Sequence, residues 1–152
     1  MLPGRRNLGG LCVKASLPQG RINWGRYRES GKESVMPYML LITESPEKRR
    51  SRPAEEGRLA MEQMLRFGDG LKARGMHLAG DSLKSDAEGV RIEVRGGKLT
   101  VVDGPFAEAK EIVGGFFLID CGSKEEAIAI ASECPAVEWA TVEVREIGPC
   151  YE

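Results

Sequence analysis

Two stretches of the chain are apolar without alternation: Tyr38-Met39-Leu40-Leu41-Ile42 and Phe116-Phe117-Leu118-Ile119. A strand turns successive side chains to opposite faces, so an unbroken apolar run of this length is a strand buried on both sides, or part of a buried helix. The shortness of both runs, and the Ser45-Pro46 breaker after the first, favour strands. Such strands belong in the middle of a sheet, and the remaining residues must cover both of its faces.

The segments between and around these runs supply the other elements. Residues 47–52 are charged and read as a loop. Pro53 is a good first helical residue. Ala60, Met61, Met64, Leu65, Phe67 and Leu71 then recur at three- and four-residue spacing. That is one apolar stripe on a helix of about 20 residues, ended by Gly75. Its methionines read as core filler rather than a cofactor box. Residues 76–83 form a weaker strand. Val90, Ile92 and Val94 alternate with Arg91, Glu93 and Arg95, and Gly96-Gly97 makes a two-residue turn. If Arg95 pairs with Lys98, Val94 faces Leu99, Ile92 faces Val101 and Val90 faces Asp103. Asp103 then shares the apolar face of the hairpin, where a carboxylate must be hydrogen-bonded, paired or shifted in pKa. After the second apolar run, Ser123 and Glu126 form a capping box. A helix follows through Ala127, Ile128, Ile130 and Ala131 and stops near Pro135, and residues 140–147 alternate as a last strand.

The order is β-α-β(ββ)-β-α-β, an α+β chain with a ferredoxin-like sheet, two helices on one face and an inserted β-hairpin. Right-handed crossovers place both helices on the same side. The other face of the central strands still needs cover, and a second copy of the chain is the simplest source. The expectation is a symmetric homodimer with the two sheets face to face.

Charge narrows the partners. Residues 1–35 carry seven Lys/Arg against two Asp/Glu, while residues 36–152 carry fifteen against twenty-one. An acidic body argues against nucleic acid as a direct partner. No apolar run approaches membrane-spanning length, so no membrane association is expected. Cys12, Cys121, Cys134 and Cys150 form no C-x-x-C pair and His77 is the sole histidine, so no metal site is expected. The cysteines read as reduced thiols of a cytoplasmic protein. No Gly-rich phosphate loop is present, because Gly96-Gly97 is a turn and Gly114-Gly115 opens a strand; no cofactor is expected. Residues 1–35 show no sustained period and no secretory apolar core. They read as a disordered basic extension or as an over-extended start, with the folded domain spanning 36–152.

From Tyr38 to Ile147 the chain resembles the YCII-related proteins, in the branch marked by an Asp-Gly-Pro-Phe motif. Asp103-Gly104-Pro105-Phe106-Ala107-Glu108, with Lys110-Glu111 and Gly114-Gly115-Phe116 behind it, carries the resemblance. Tyr38–Ile42, Gly80-Asp81-Ser82-Leu83 and Val142–Arg145 match as well, and Ala109 departs from the threonine usual there. The resemblance implies a dimeric α+β barrel. It implies little about activity: relatives in the wider superfamily include isomerases, dehydrochlorinases and monooxygenases acting on small compounds, and some members of this branch lie near sigma-factor genes.

Asp103 is the first candidate for chemistry, as a general acid/base at a pocket mouth. Its structural alternative is an Asx-type cap on the Gly104-Pro105 turn. His77 is a second candidate, since imidazole carries protons near neutral pH; otherwise it is a polar residue opening a strand. Phe106, Glu108, Lys110 and Asp81 are candidate ligand contacts. The bland readings are an aromatic plug for Phe106, solvated ion pairs for Glu108, Lys110 and Glu111, and a turn residue for Asp81. The expected function is a small-molecule-binding protein with isomerase- or lyase-type acid/base chemistry at Asp103 in a dimer pocket. The alternative is a non-catalytic dimeric accessory protein in sigma-factor-linked regulation.

Overall fold

The structure, a computed structural model, describes residues 36–148. The expectations for residues 1–35, and for Cys12 and Cys150 in terminal segments, lie outside the described residues. In chain order the elements are β1 (Met36–Glu44), α1 (Pro46–Ser51), α2 (Ala54–Ala73), β2 (His77–Ser82), β3 (Val90–Arg95), β4 (Lys98–Asp103), β5 (Ile112–Cys121), α3 (Lys124–Ser132) and β6 (Thr141–Glu146), with 3-10 turns at Asp86–Glu88 and Pro135–Glu138. None of the helices is long and apolar enough to cross a membrane.

The two unbroken apolar runs pair with each other. The main sheet has the order β2-β5-β1-β6, antiparallel throughout, which is the ferredoxin-like arrangement. β1 and β5 are central because they are the strands with no polar face to leave outside. Tyr38, Leu40 and Ile119 point to one face and are essentially fully buried against Leu71 of α2 and Ala127, Ile130 and Ala131 of α3. Burying each Leu- or Ile-sized side chain contributes ~1.5–3 kcal/mol. Phe67 and Phe117 meet edge to face across this layer, with centroids 5.2 Å apart at 83°. The opposite face carries Met39, Leu41, Phe116 and Leu118, all half-buried, and neither α2 nor α3 packs on it.

The hairpin β3–β4 has the register derived from its turn: Val90↔Asp103, Ile92↔Val101, Val94↔Leu99 and Arg95↔Lys98. Gly96 and Gly97 take φ of 56° and 76°, the left-handed pair that a two-residue turn of this kind requires. Its strands form a separate two-stranded sheet rather than joining the main one. Its apolar face is open: Val90, Ile92, Val94, Leu99 and Val101 are 53–69% exposed.

Residues 47–52 are not a loop, contrary to their charged composition. Ser45 accepts the Lys48 N–H as N-cap, Pro46 sits in the first turn, and α1 follows. Pro46 thus opens a helix instead of only ending the strand, because its missing N–H would be unsatisfied there in any case. The described residues therefore hold three α-helices, not two. The capping box of α3 is present in altered form. Ser123 Oγ accepts from Glu126 N at 3.1 Å, but Glu126 reaches past the cap to accept from Gly122 N at 2.6 Å.

Gly70 sits in the interior of α2 with open space where a Cβ would project. Gly70→Ala is expected to stabilise the chain by about 0.5–1 kcal/mol, read as a rise in melting temperature of a few degrees. An unchanged or lower value would contradict the helix assignment at this position.

Candidate functional site

Between α2 and the helix-facing side of the sheet lies a cavity of about 370 Å³. Small-molecule sites commonly begin near this size. Its walls are mostly apolar: Met61, Met64 and Leu65 from α2, Phe117 from β5 and Trp139 after α3. Its polar end is built where β1 runs into α1.

Glu44, the last residue of β1, is buried there, with its side chain only 2% exposed. Arg49 Nη1 donates to its Oε1 at 2.9 Å and Arg52 Nη2 to its Oε2 at 2.6 Å. The turn of α1 places Arg49 and Arg52 on either side of the one carboxylate. Arg49 also donates to the Leu83 carbonyl. A sheet irregularity makes room for this cluster. The β1–β5 register runs Ile42↔Gly115 and then Thr43↔Val113, so Gly114 has no partner opposite it. A Cβ on Gly114 would overlap the Arg49 guanidinium where it sits, so the glycine leaves room for that placement. The Arg52 guanidinium lies over the Trp139 ring, 4.6 Å from its centroid. The Trp139 indole Nε1 is buried and has no hydrogen-bond partner among the described residues.

His77 opens β2, lines the cavity and meets the Phe117 ring edge-on at 6.2 Å. Asp81 also borders the cavity, but its pairing opposite Phe116 turns its side chain to the other face of the sheet from Gly80 and Phe117. Its Oδ1 accepts the Ser82 N–H at 2.8 Å. His77 and the Asp81 carboxylate are thus on the same strand but not in the same chamber.

The Asp103–Glu111 stretch lies elsewhere. Asp103 is exposed at the end of β4, on the open face of the hairpin. It does not cap its own turn. That role falls to Asp86, whose Oδ2 accepts the Phe106 N–H at 3.3 Å and pairs with Arg50 at 2.7 Å. Gly104 N donates to the Gly89 carbonyl at 2.9 Å, and a Cβ on Gly104 would overlap the Asp86 carbonyl. The Gly104–Pro105 peptide is cis. Phe106 is half-buried, under the Arg91 guanidinium at 4.0 Å, and lines a second, more open cavity of about 700 Å³ together with Lys84, Asp86 and Glu111. Glu108 and Lys110 are exposed and share no ion pair with Asp103 among the described residues. Cys121 and Cys134 are free, buried thiols. Burial pushes both thiols up, away from the thiolate form a nucleophile needs.

The structure therefore divides the residues singled out from sequence. His77 lies in the cavity beneath α2. Asp103, Phe106, Glu108 and Lys110 surround the hairpin turn, and Asp81 borders the cavity with its carboxylate turned away. Glu44, Arg49, Arg52, Trp139 and Asp86 were not singled out. A carboxylate ending a doubly apolar strand, followed at five and eight residues by arginines, is a signal for the first three. Asp86 stands among Ser85, Ala87 and Glu88 with no local mark of its role.

Glu44→Gln removes the charge that compensates two largely covered guanidiniums. Breaking a fully buried pair costs about 3–5 kcal/mol. Arg49 and Arg52 keep 22% and 19% of their side chains exposed, so a loss at or below the lower end is expected from urea unfolding. A variant as stable as the parent would show that the cluster is dispensable. For Asp86, burial pushes the carboxyl up, but the Phe106 N–H, the Arg50 guanidinium and the Ser85 hydroxyl outweigh it and hold the group below its ordinary 3.8. A folded value below the unfolded one gives stability that is present above 3.8 and lost as pH falls through the depressed value. Asp86→Asn is therefore expected to be less stable than the parent at neutral pH, with the gap closing in acid. A gap that stays constant across that range would contradict the assignment.

Among known proteins, an uncharacterized protein of Rhizobium meliloti (strain 1021) is 54% identical to the chain over 37 residues, which is 24% of this chain and 30% of that protein. The YCII-related domain matches residues 36–150, which takes in β1 through β6, the cavity and the Asp86-held turn. On that match the chain belongs to the YCII-related domain family.

Proposed function

We propose that the chain is a small-molecule-binding protein whose ligand occupies the cavity between α2 and the sheet, with His77 available there for acid/base chemistry of the isomerase or lyase type. The observation that carries this reading is the cavity itself: about 370 Å³, largely apolar, with a buried Glu44–arginine cluster and the chain's single imidazole in its walls. Convergent polar groups in an apolar pocket are the usual form of such a site. Histidine is the side chain best suited to move a proton near neutral pH. We also place the chain in the Asp-Gly-Pro-Phe branch of its family, on residues 103–106 and 114–116.

Asp103, the first candidate from the sequence, acts in this reading through a partner copy. The open sheet face with Met39, Leu41, Phe116 and Leu118, and the ribbon face with Ile92, Val94 and Leu99, are both apolar surfaces that water covers poorly. A two-stranded ribbon is marginal alone. A homodimer covering these faces would enclose Asp103. The same ribbon supports a second reading, a non-catalytic accessory protein that offers this face to a regulatory partner. Sedimentation separates the two. A dimer that Leu41→Glu converts to monomer supports self-association; a parent chain that is monomeric at micromolar concentration contradicts it.

The binding reading is tested by thermal shift of the full chain against a metabolite library. A ligand present at about 100 times its Kd raises stability by about 2.7 kcal/mol. The hit is expected to be lost in Ala60→Trp, which fills the cavity from α2, and kept in His77→Gln. A hit kept by Ala60→Trp would place binding elsewhere. If the compound is turned over, His77→Gln is expected to abolish turnover while leaving binding intact.

A further inference from the structure

We propose that the cavity selects a small organic carboxylate with an apolar or aromatic body, its charged end held by Arg52 and Arg49 beside the Trp139 ring. The inference rests on the cavity being the ligand site and adds the chemical class.

The polar end of the cavity has more cation than it needs for itself. Glu44 supplies one negative charge and meets two guanidiniums, each on a separate oxygen. Lys72 also borders the cavity but is exposed and already paired with Asp69 at 3.0 Å, and the Asp81 carboxylate is turned to the other face of the sheet, so the uncommitted positive charge is that of the two arginines. A guanidinium carries five N–H donors. Arg52 commits one of them, to Glu44, and Arg49 commits two, to Glu44 and the Leu83 carbonyl. The remaining donors belong to groups about four-fifths withdrawn from water, with side-chain exposures of 19% and 22%. Such donors bind an anion more strongly than those of a solvated arginine.

The arginines are also held in place. Glu44 anchors one edge of each guanidinium. The Arg52 guanidinium also lies over the Trp139 ring, 4.6 Å from its centroid, a second contact that restrains it. The Gly114 irregularity receives Arg49. A guanidinium fixed in this way loses little freedom on binding a planar carboxylate through two parallel hydrogen bonds.

Trp139 lines this same cavity beside Arg52; its indole N–H has almost no accessible surface and no partner among the described residues, so it reports on the site without being a contact. Away from the arginines, Met61, Met64, Leu65 and Phe117 form an apolar wall beside His77, so most of the ligand body is apolar. A compact inorganic anion would leave that wall unfilled.

The test uses the full chain and defined probes: benzoate and phenylacetate, their neutral isosteres benzamide and phenylacetamide, and inorganic phosphate. Binding is read from the Trp139 indole N–H resonance, assigned with Trp139→Phe, and from the melting temperature. The carboxylates are expected to move the resonance and to bind roughly tenfold or more tightly than the amides, a difference of about 1.4 kcal/mol. Arg52→Leu is expected to lose that preference, and Arg52→Lys, which keeps the charge toward Glu44 and so guards against simple unfolding, to lose part of it. Equal binding of amides and carboxylates overturns the inference and leaves the cavity reading standing. Phosphate binding as tight as the carboxylates overturns the organic part of it. Failure of every carboxylate at millimolar concentration also overturns it. A neutral library compound that binds and is displaced by Ala60→Trp would then show that the cavity reading has survived.

Discussion

The pairing of β1 with β5 is the constraint on which the rest of the molecule depends. Each strand is apolar on both faces, so neither can sit at an edge without exposing backbone groups and side chains together. Their union sets the sheet order and gives α2 and α3 a surface to pack on. It also ends in an irregularity at Gly114, where the register slips by one residue. That slip opens a space beneath the sheet, and the Arg49 guanidinium occupies it. The site is therefore a consequence of how the two central strands finish.

The short α1 helix then ties that end of the sheet to the hairpin turn. Arg49 and Arg52 hold Glu44 at the end of β1, while Arg50, on the other side of the same turn, holds Asp86. Asp86 in turn receives the Phe106 N–H and fixes the Asp-Gly-Pro-Phe turn from outside. Three arginines within four residues, each with a carboxylate, connect the cavity to the signature motif. A charged stretch of this kind usually reads as a solvated face. Here two of the carboxylates it meets are almost wholly withdrawn from water, at 2% and 4% of their side chains exposed, which makes the pairs structural rather than incidental.

Much of the fold was legible in the residues. The α2 stripe, the alternating hairpin with its Gly96-Gly97 turn, and the register placing Val90 opposite Asp103 follow from periodicities of 3.6 and 2 that belong to neighbouring residues. The centrality of β1 and β5 follows from their lack of a polar face. The site was legible only in part. His77 stood out by being unique, and it lies in the cavity. Asp103 stood out by sharing the apolar face of the hairpin, yet within one chain that face is open, so the expected burial does not occur. Alternation tells which face a side chain takes; it does not tell what, if anything, lies on that face.

Local spacing alone sets the α+β order, the sheet's central pair and the hairpin register. The meeting of Glu44, Arg49, Arg52 and Trp139 at one end of a cavity, and the holding of the signature turn by Asp86 rather than Asp103, come only with the folded chain. Trp139 lies well over eighty residues from Arg52, and Asp86 lies twenty residues from Phe106. Contacts at such separations depend on where the sheet slips and how the helices seat, and no local pattern of side chains encodes them.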